Sequence, residues 1–160
     1  MNSSTRPIAQ IGMIAATYVV LTVALAPMSF QEIQVRVSEA LTILPVFTAL
    51  AVPGLTLGCL VANILGGAPL PDVVFGTLAT LIGAVGTRLL RNGKPVMTVV
   101  PPIASNMVII PMILRYAYEV PLPIPLMMVT VGLGEVISCG VLGLMLYKAL
   151  LPYKNQVFKE

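Results

Sequence analysis

The charges of this chain are few and are confined almost wholly to short breaks between long apolar stretches. That spacing leaves one kind of fold open. Only 9% of the 160 residues are charged and 58% are hydrophobic. A soluble domain carries about 25% charged residues, so a compact form of this chain would have too little polar surface to face water. An all-α membrane protein is predicted, because apolar helices satisfy their own backbone groups and need no water to do so. The length suits one bundle over residues 1–160, with no room for an appended soluble domain.

Breakers divide the apolar sequence into six segments. The first spans about residues 8–28 and is closed by Pro27 and the polar stretch from Ser29 to Gln34. The second covers about 39–52, and Pro53-Gly54 breaks it from a third at about 54–66. A Gly- and Pro-rich loop, Gly66 to Pro71, precedes the fourth at about 72–90. The polar turn Arg91 to Pro95 leads to the fifth at about 96–114, and a proline-bearing loop from Arg115 to Pro125 leads to the sixth at about 125–149. Pro101-Pro102 predicts a kink in the fifth. Segments two and three have about 13 residues each, against the ~20 needed to cross the hydrocarbon core. They must tilt, sit in a thinned bilayer or be shielded by neighbours. The alternative is a single kinked span over 39–66, giving five crossings.

The charges favour six crossings. Both termini then share a side with Arg6, Arg88, Arg91, Lys94, Lys148, Lys154 and Lys159, and with Glu160 as that side's one acid. The other side holds Arg36 and Arg115 against Glu32, Glu39, Asp72, Glu119 and Glu135. The positive-inside rule makes the first side cytoplasmic. A five-span arrangement scatters basic residues over both sides. The N-terminus imitates a secretory signal, with Arg6 before an apolar run and Ala24-Leu25-Ala26 as a cleavage-like site. Its apolar run is longer than the roughly 7–15 residues of a signal core, and Pro27 disfavours cleavage. A retained first helix is predicted.

Several chemistries are excluded. Gly93-Lys94 ends as a phosphate-binding loop does, but Arg88 stands where that loop needs its first Gly, and Pro95 where it needs Ser or Thr. There is no His, no zinc-protease helix motif and no nucleophile elbow. No catalytic residue, metal site or cofactor is expected, and the chain is not read as an enzyme. The basic residues are a topology signal, not a nucleic-acid patch. Cys59 and Cys139 are lone cysteines within apolar helices, where packing is their expected role.

Ionisable groups at membrane depth are costly and are functional candidates by default. Glu39 opens the second segment three residues after Arg36. The pair reads either as a structural ion pair at a helix start or as a cavity-facing acceptor oriented by its arginine. Glu135 lies about ten residues into the sixth segment, roughly 15 Å along its axis. It must be protonated, paired or facing a wet cavity. Asn63 and Asn106 either join helices or meet a heterocycle. Asp72 follows Pro71 and reads as an N-cap or as a partner for a cationic ligand. Tyr116 and Tyr118 form an interfacial aromatic belt or a lid over a planar ligand, and Glu119 beside them is expected to be solvated. Gly12 and Ala16, with Ala9 on the same stripe, allow close approach of a backbone, either within the bundle or from a partner subunit.

These residues carry a resemblance. Arg36-Val37-Ser38-Glu39-Ala40-Leu41-Thr42-Ile43-Leu44-Pro45 is its strongest piece. It is joined by Pro53-Gly54, Gly58 to Asn63, Asp72 to Thr80, and Leu133-Gly134-Glu135. In this order, over nearly the whole chain, they resemble the QueT family of substrate-binding components of energy-coupling factor transporters. The resemblance implies a six-helix bundle with both termini cytoplasmic, spanning a bacterial cell membrane. It implies a single substrate-binding domain that takes a nutrient near the outer surface under loops acting as a lid. It further implies docking, through small residues of the first helix, onto a module of one transmembrane coupling protein and two ATPases. The expected substrate is a queuosine precursor, 7-aminomethyl-7-deazaguanine. The family's docking stripe reads Ala-xxx-Ala, and here the first position is Gly12.

The residues suit that substrate. A guanine-like edge offers two adjacent donors to one carboxylate, and a buried carboxylate rejects analogues lacking them. The aminomethyl cation calls for a second carboxylate, and the carbonyl oxygen for an Asn amide. The residues leave open which acid meets which end; Glu135, the deeper acid, is preferred for the edge, and Glu39 or Asp72 for the ammonium. Two other functions fit the composition. One is a small oligomeric proton-coupled transporter with Glu135 as proton carrier. The other is an intramembrane enzyme using Glu39 and Glu135 as acid and base, for which the sequence supplies no nucleophile or metal site.

Overall fold

The computed structural model describes residues 5–25 and 36–154. Pro27, the polar run from Ser29 with Glu32 and Gln34, and Lys159 and Glu160 lie outside the described residues. Six helices, with no strand among the described residues, follow one another: α1 (Thr5–Ala24), α2 (Val37–Val46), α3 (Ala51–Leu65), α4 (Asp72–Leu89), α5 (Pro95–Tyr116) and α6 (Ile124–Tyr153). Four of them, α1, α4, α5 and α6, are long and apolar enough to cross a membrane, and α2 and α3 are shorter.

The bundle buries a group of polar residues beside its apolar core and is apolar outside. Leu57, Ile64, Ile82, Val108, Leu133 and Val141 are exposed, whereas Glu39, Thr42, Asn63, Thr80, Asn106 and Glu135 are buried. Buried acids under so apolar an exterior depart from the partition of a soluble domain and suit a surface that meets lipid. The chain is a multi-pass membrane protein.

The short α2 is shielded by its neighbours. Every residue from Ser38 to Pro45 is buried, and α1, α3, α4 and α6 all pack on it. It is wound as a 3-10 helix over its ten residues, where runs beyond three or four residues are uncommon. The tighter winding rises about 2.0 Å per residue against ~1.5 Å in an α-helix, so a short sequence reaches further. The single kinked span over 39–66 does not form. Instead the chain reverses at residues 47–50, before Pro53-Gly54. Thr48 makes this turn, its hydroxyl accepting the Leu50 N–H at 3.2 Å. Pro53 then falls in the first turn of α3, where its missing N–H has no intrahelical partner to lose.

Close backbone approach fixes the helix crossings. A Cβ on Gly54 would lie 2.9 Å from Ile14 Cβ, and one on Gly58 2.7 Å from Tyr18 Cβ and 3.0 Å from the Ala15 carbonyl. This small-xxx-small pair on α3 lets α1 lie directly on it. The α4–α5 crossing pairs Gly83 with Pro102 and Gly86 with Pro101. Pro102 cannot donate to the Thr98 carbonyl four residues back, and the Thr87 hydroxyl takes that role from α4 at 2.7 Å. The irregularity of α5 sits at Val99, between Pro95–Thr98 and Val100–Tyr116. The adjoining prolines are tolerated because they occupy the first turn of the longer stretch.

Small residues on α1 and α3 divide by face. A Cβ added to Gly12 would meet no described atom within 4 Å, and Gly12 and Ala16 are exposed. Gly58→Val is therefore expected to lower the melting temperature in detergent, by an overpacking cost of about 1–3 kcal/mol. Gly12→Val should leave it unchanged, and parallel thermal unfolding of the two variants checks both.

Candidate functional site

The polar residues of α2, α4 and α6 converge in the half of the bundle that holds the α3–α4 and α5–α6 loops. Each acid of this cluster stands on a distorted backbone. Glu39 lies in the first turn of the 3-10 helix, Asp72 opens a π-turn at Asp72–Gly76, and Glu135 immediately precedes a second π-turn at Val136–Leu142. Such turns re-aim side chains and recur at functional sites.

Glu39 is held by α1. Tyr18, fully buried, donates its hydroxyl to Glu39 Oε1. One turn on, Thr22 donates to the Tyr18 carbonyl at 2.9 Å and lies 2.7 Å from the Ser38 hydroxyl. Glu135 is held by two donors, Asn106 Nδ2 from α5 at 2.9 Å to Oε1 and the Cys139 thiol from its own helix at 3.1 Å to Oε2. Cys139 in turn accepts from Thr42 at 3.4 Å. Oxygens of Glu39 and Glu135 and the Cys139 sulfur lie within 4.8 Å of one another.

Asp72 is the second node. Its Oδ2 accepts from Tyr118 at 2.7 Å and lies 3.7 Å from Arg36 Nη2. Its backbone carbonyl accepts from Asn63 Nδ2 at 3.3 Å, which also reaches the Cys59 sulfur. Asp72 thus ties the start of α2, the end of α3, the start of α4 and the α5–α6 loop together. Burial and the bond to the Asp72 carboxylate push the Tyr118 phenol well above its usual range, so it donates at any physiological pH. The loop reaches this position through Glu119, the one non-glycine at positive φ (54°) among the described residues. Gly76 leaves the space beside the carboxylate, since a Cβ there would lie 2.6 Å from Asp72 Oδ1.

Among the described residues, three buried carboxylate or amide oxygens on three helices have no hydrogen-bond partner, Glu39 Oε2, Asn63 Oδ1 and Asp72 Oδ1, and the buried hydroxyls of Thr77 and Ser138 have none either. A buried polar atom without a partner costs about 1–3 kcal/mol. Such acceptors are complementary to a molecule rich in N–H donors.

The structure brings six of the sequence-predicted residues into this cluster: Arg36, Glu39, Asn63, Asp72, Asn106 and Glu135 are all buried there. The N-cap position falls on Pro71 and not on Asp72, whose carboxylate serves side chains instead. Tyr116 stands apart. It is 76% exposed and borders a shallow apolar groove with Pro71, Phe75 and Met112. Its neighbour Tyr118 makes the contact with Asp72. Sequence reasoning missed Tyr18 and Cys139. Tyr18 could have been found as a phenol within a long apolar helix, whose hydroxyl needs a partner when buried. Cys139 carries a usable signal only in its spacing, one turn after Glu135.

Removing the Tyr18 hydroxyl deprives a buried carboxylate of its donor. Tyr18→Phe is expected to cost about 1–3 kcal/mol of stability, whereas Tyr116→Ala should stay within ~0.5 kcal/mol of the parent. Thermal melts of the purified variants test the contrast.

The profile of a family described as "QueT transporter" matches residues 8–152. A curated relative, the "Queuosine precursor transporter QueT" of Lactococcus lactis subsp. cremoris, is 38% identical over 83 residues, covering 51% of this chain and 48% of that protein. The matched part thus spans about half the length of that relative. No solved structure matches.

Proposed function

Because the chain belongs to the QueT transporter family, a family of transporters and not of enzymes, we propose that it is the membrane-embedded substrate-binding component of an energy-coupling factor importer. Its substrate in this reading is the queuosine precursor 7-aminomethyl-7-deazaguanine. The name of the Lactococcus relative points to a queuosine precursor. The observation that carries the reading is the set of open buried acceptors, Glu39 Oε2, Asn63 Oδ1 and Asp72 Oδ1. A deazaguanine with an aminomethyl arm is rich in donors at both ends. Its ring N–H and exocyclic amine form a two-donor edge, and its ammonium carries three donors and a charge.

Glu135 suits the guanine-like edge, because Asn106 and Cys139 hold it rigidly and deep. Asn106 stands beside it as an amide for the ring carbonyl. The ammonium goes to Glu39 or Asp72 at the shallower level, with Arg36 balancing their charge. Tyr118, bonded to Asp72 from the loop above, replaces Tyr116 as the lid residue this reading uses.

Import requires an energy source that this chain does not contain. The exposed small face of α1, with Gly12 and Ala16, is the surface assigned to the transmembrane coupling subunit, which carries two ATPase subunits. The basic ends of the helices face the cytoplasm in this reading, and the membrane is that of a bacterial cell. A proton-coupled oligomer would instead transport into vesicles without any ATPase.

Calorimetric titration with 7-aminomethyl-7-deazaguanine, guanine and thiamine should show tight binding of the first alone, lost in Glu135→Gln. Binding of none of them would sink the substrate assignment. The double variant Gly12→Val/Ala16→Val should bind ligand within about twofold of the parent yet fail to co-purify with an ATPase module and fail to support ATP-driven uptake. Unchanged co-purification would move the docking surface elsewhere.

A further inference from the structure

We infer that the protein without ligand stores a proton on Glu39 and that the ligand's cationic group displaces it, so that binding exchanges one cation for another within the bundle. The inference rests on the reading of a cationic ligand given above, and goes beyond it in naming the acceptor and the exchange.

The geometry separates the two glutamates. Both oxygens of Glu135 receive a donor from the protein, Asn106 at one and Cys139 at the other. Neither Glu135 oxygen is left without a donor. Glu39 receives one donor, Tyr18, and its Oε2 is buried without a partner among the described residues. The two carboxylates lie within 4.8 Å of each other, and neither is in an ion pair among the described residues, where Arg36 pairs with Asp72. Two negative charges at that distance inside a low-dielectric bundle repel strongly. A proton on Glu39 removes the repulsion at the one oxygen no other described group occupies.

The described surroundings offer no nearer source of compensation. The titratable or charged groups around Glu39 are Tyr18 from α1, Arg36 at the head of its own helix, Cys59 from α3, Asp72 from α4, and Glu135 and Cys139 from α6. From α5 comes Asn106, which does not titrate. One guanidinium thus stands among three carboxylates, Glu39, Asp72 and Glu135. When an ammonium arrives, the Glu39 O–H bond breaks and the proton leaves to water. The carboxylate then accepts the ammonium's N–H, and the net charge of the cluster is unchanged. No net charge has to be carried into the bundle, which is the expensive step for a cation in a membrane.

The exchange is read by calorimetry of the wild-type protein in buffers of different ionisation enthalpy. Titration with 7-aminomethyl-7-deazaguanine should release about one proton per ligand, and affinity should rise about tenfold per pH unit while Glu39 is protonated. The nitrile analogue, which has no cation, should release none. Glu39→Gln should abolish the release, and Tyr116→Ala, outside the cluster, should retain it. Binding without proton release, release with the nitrile, or release that survives in Glu39→Gln overturns the exchange while leaving the transport reading in place. If none of these ligands binds, the substrate assignment fails. Infrared spectroscopy of the ligand-free protein then decides the stored proton. A carboxylic-acid C=O band at neutral pH, missing in Glu39→Gln, supports it, and absence of the band in the parent overturns it. The comparison of the two ligands on the parent protein needs no variant to fold.

Discussion

A carboxylate inside a lipid-embedded bundle must be met by donors, most of which come here from other helices, and this requirement organises the molecule. Glu39 is met by Tyr18 of α1, Glu135 by Asn106 of α5, and Asp72 by Tyr118 of the α5–α6 loop and Arg36 at the head of α2. Each bond crosses from one element to another. Every helix except α3 therefore contributes a side chain to, or directly flanks, one of the three acids, and α3 joins through Asn63 on the Asp72 carbonyl. The cost of burying charge is thus met by contacts that also fix the order of the helices.

The backbone adapts to the same requirement. A regular α-helix turns its side chains at fixed intervals, which seldom bring three acids from three helices to one level. The 3-10 winding of α2 and the π-turns in α4 and α6 change both rise and angular position just where the acids stand. Freed backbone groups are taken up nearby. Thr80 donates to the Gly76 carbonyl at 3.2 Å, and Thr87 covers the carbonyl that Pro102 leaves open. The many buried threonines of this chain are therefore part of how irregular helices survive in a medium that offers no water.

Much of this was legible in the sequence. Charge-free stretches marked the helices, and breakers marked most of their ends. The cost of burial singled out Glu39, Glu135 and Asp72 without knowledge of any contact. The misplaced turn between α2 and α3 has a plain cause. Pro53-Gly54 is the stronger breaker by composition, but proline costs nothing in a first turn, and Gly54 is needed where α1 presses on α3. Thr48 gives no comparable signal, because its role depends on a side-chain bond. Tyr116 and Tyr118 could not be told apart either. They are two residues apart, and only the positive φ of Glu119, with the helix end before it, decides which phenol turns toward Asp72. Asp72 is as good an N-cap as a ligand group in sequence, and only the Tyr118 hydroxyl on its carboxylate separates the two roles.

Helix α1 serves two surfaces at once. Its inner face carries Tyr18, which holds Glu39, and its outer face carries Gly12 and Ala16, both exposed. Gly12 and Tyr18 are about 9 Å apart along the axis. Between α1 and the rest of the bundle stand Gly54 and Gly58, so backbone meets helix directly with no flexible side chain to compress. Where α1 lies on Gly54 and Gly58 it cannot shift toward α3 without a clash. Any displacement imposed on the outer face of α1 is therefore shared by α3, and through Tyr18 by Glu39 and α2. The geometry favours motion of the bundle as one body over motion of a single helix within it. A partner that grips α1 would then carry the acid cluster along intact.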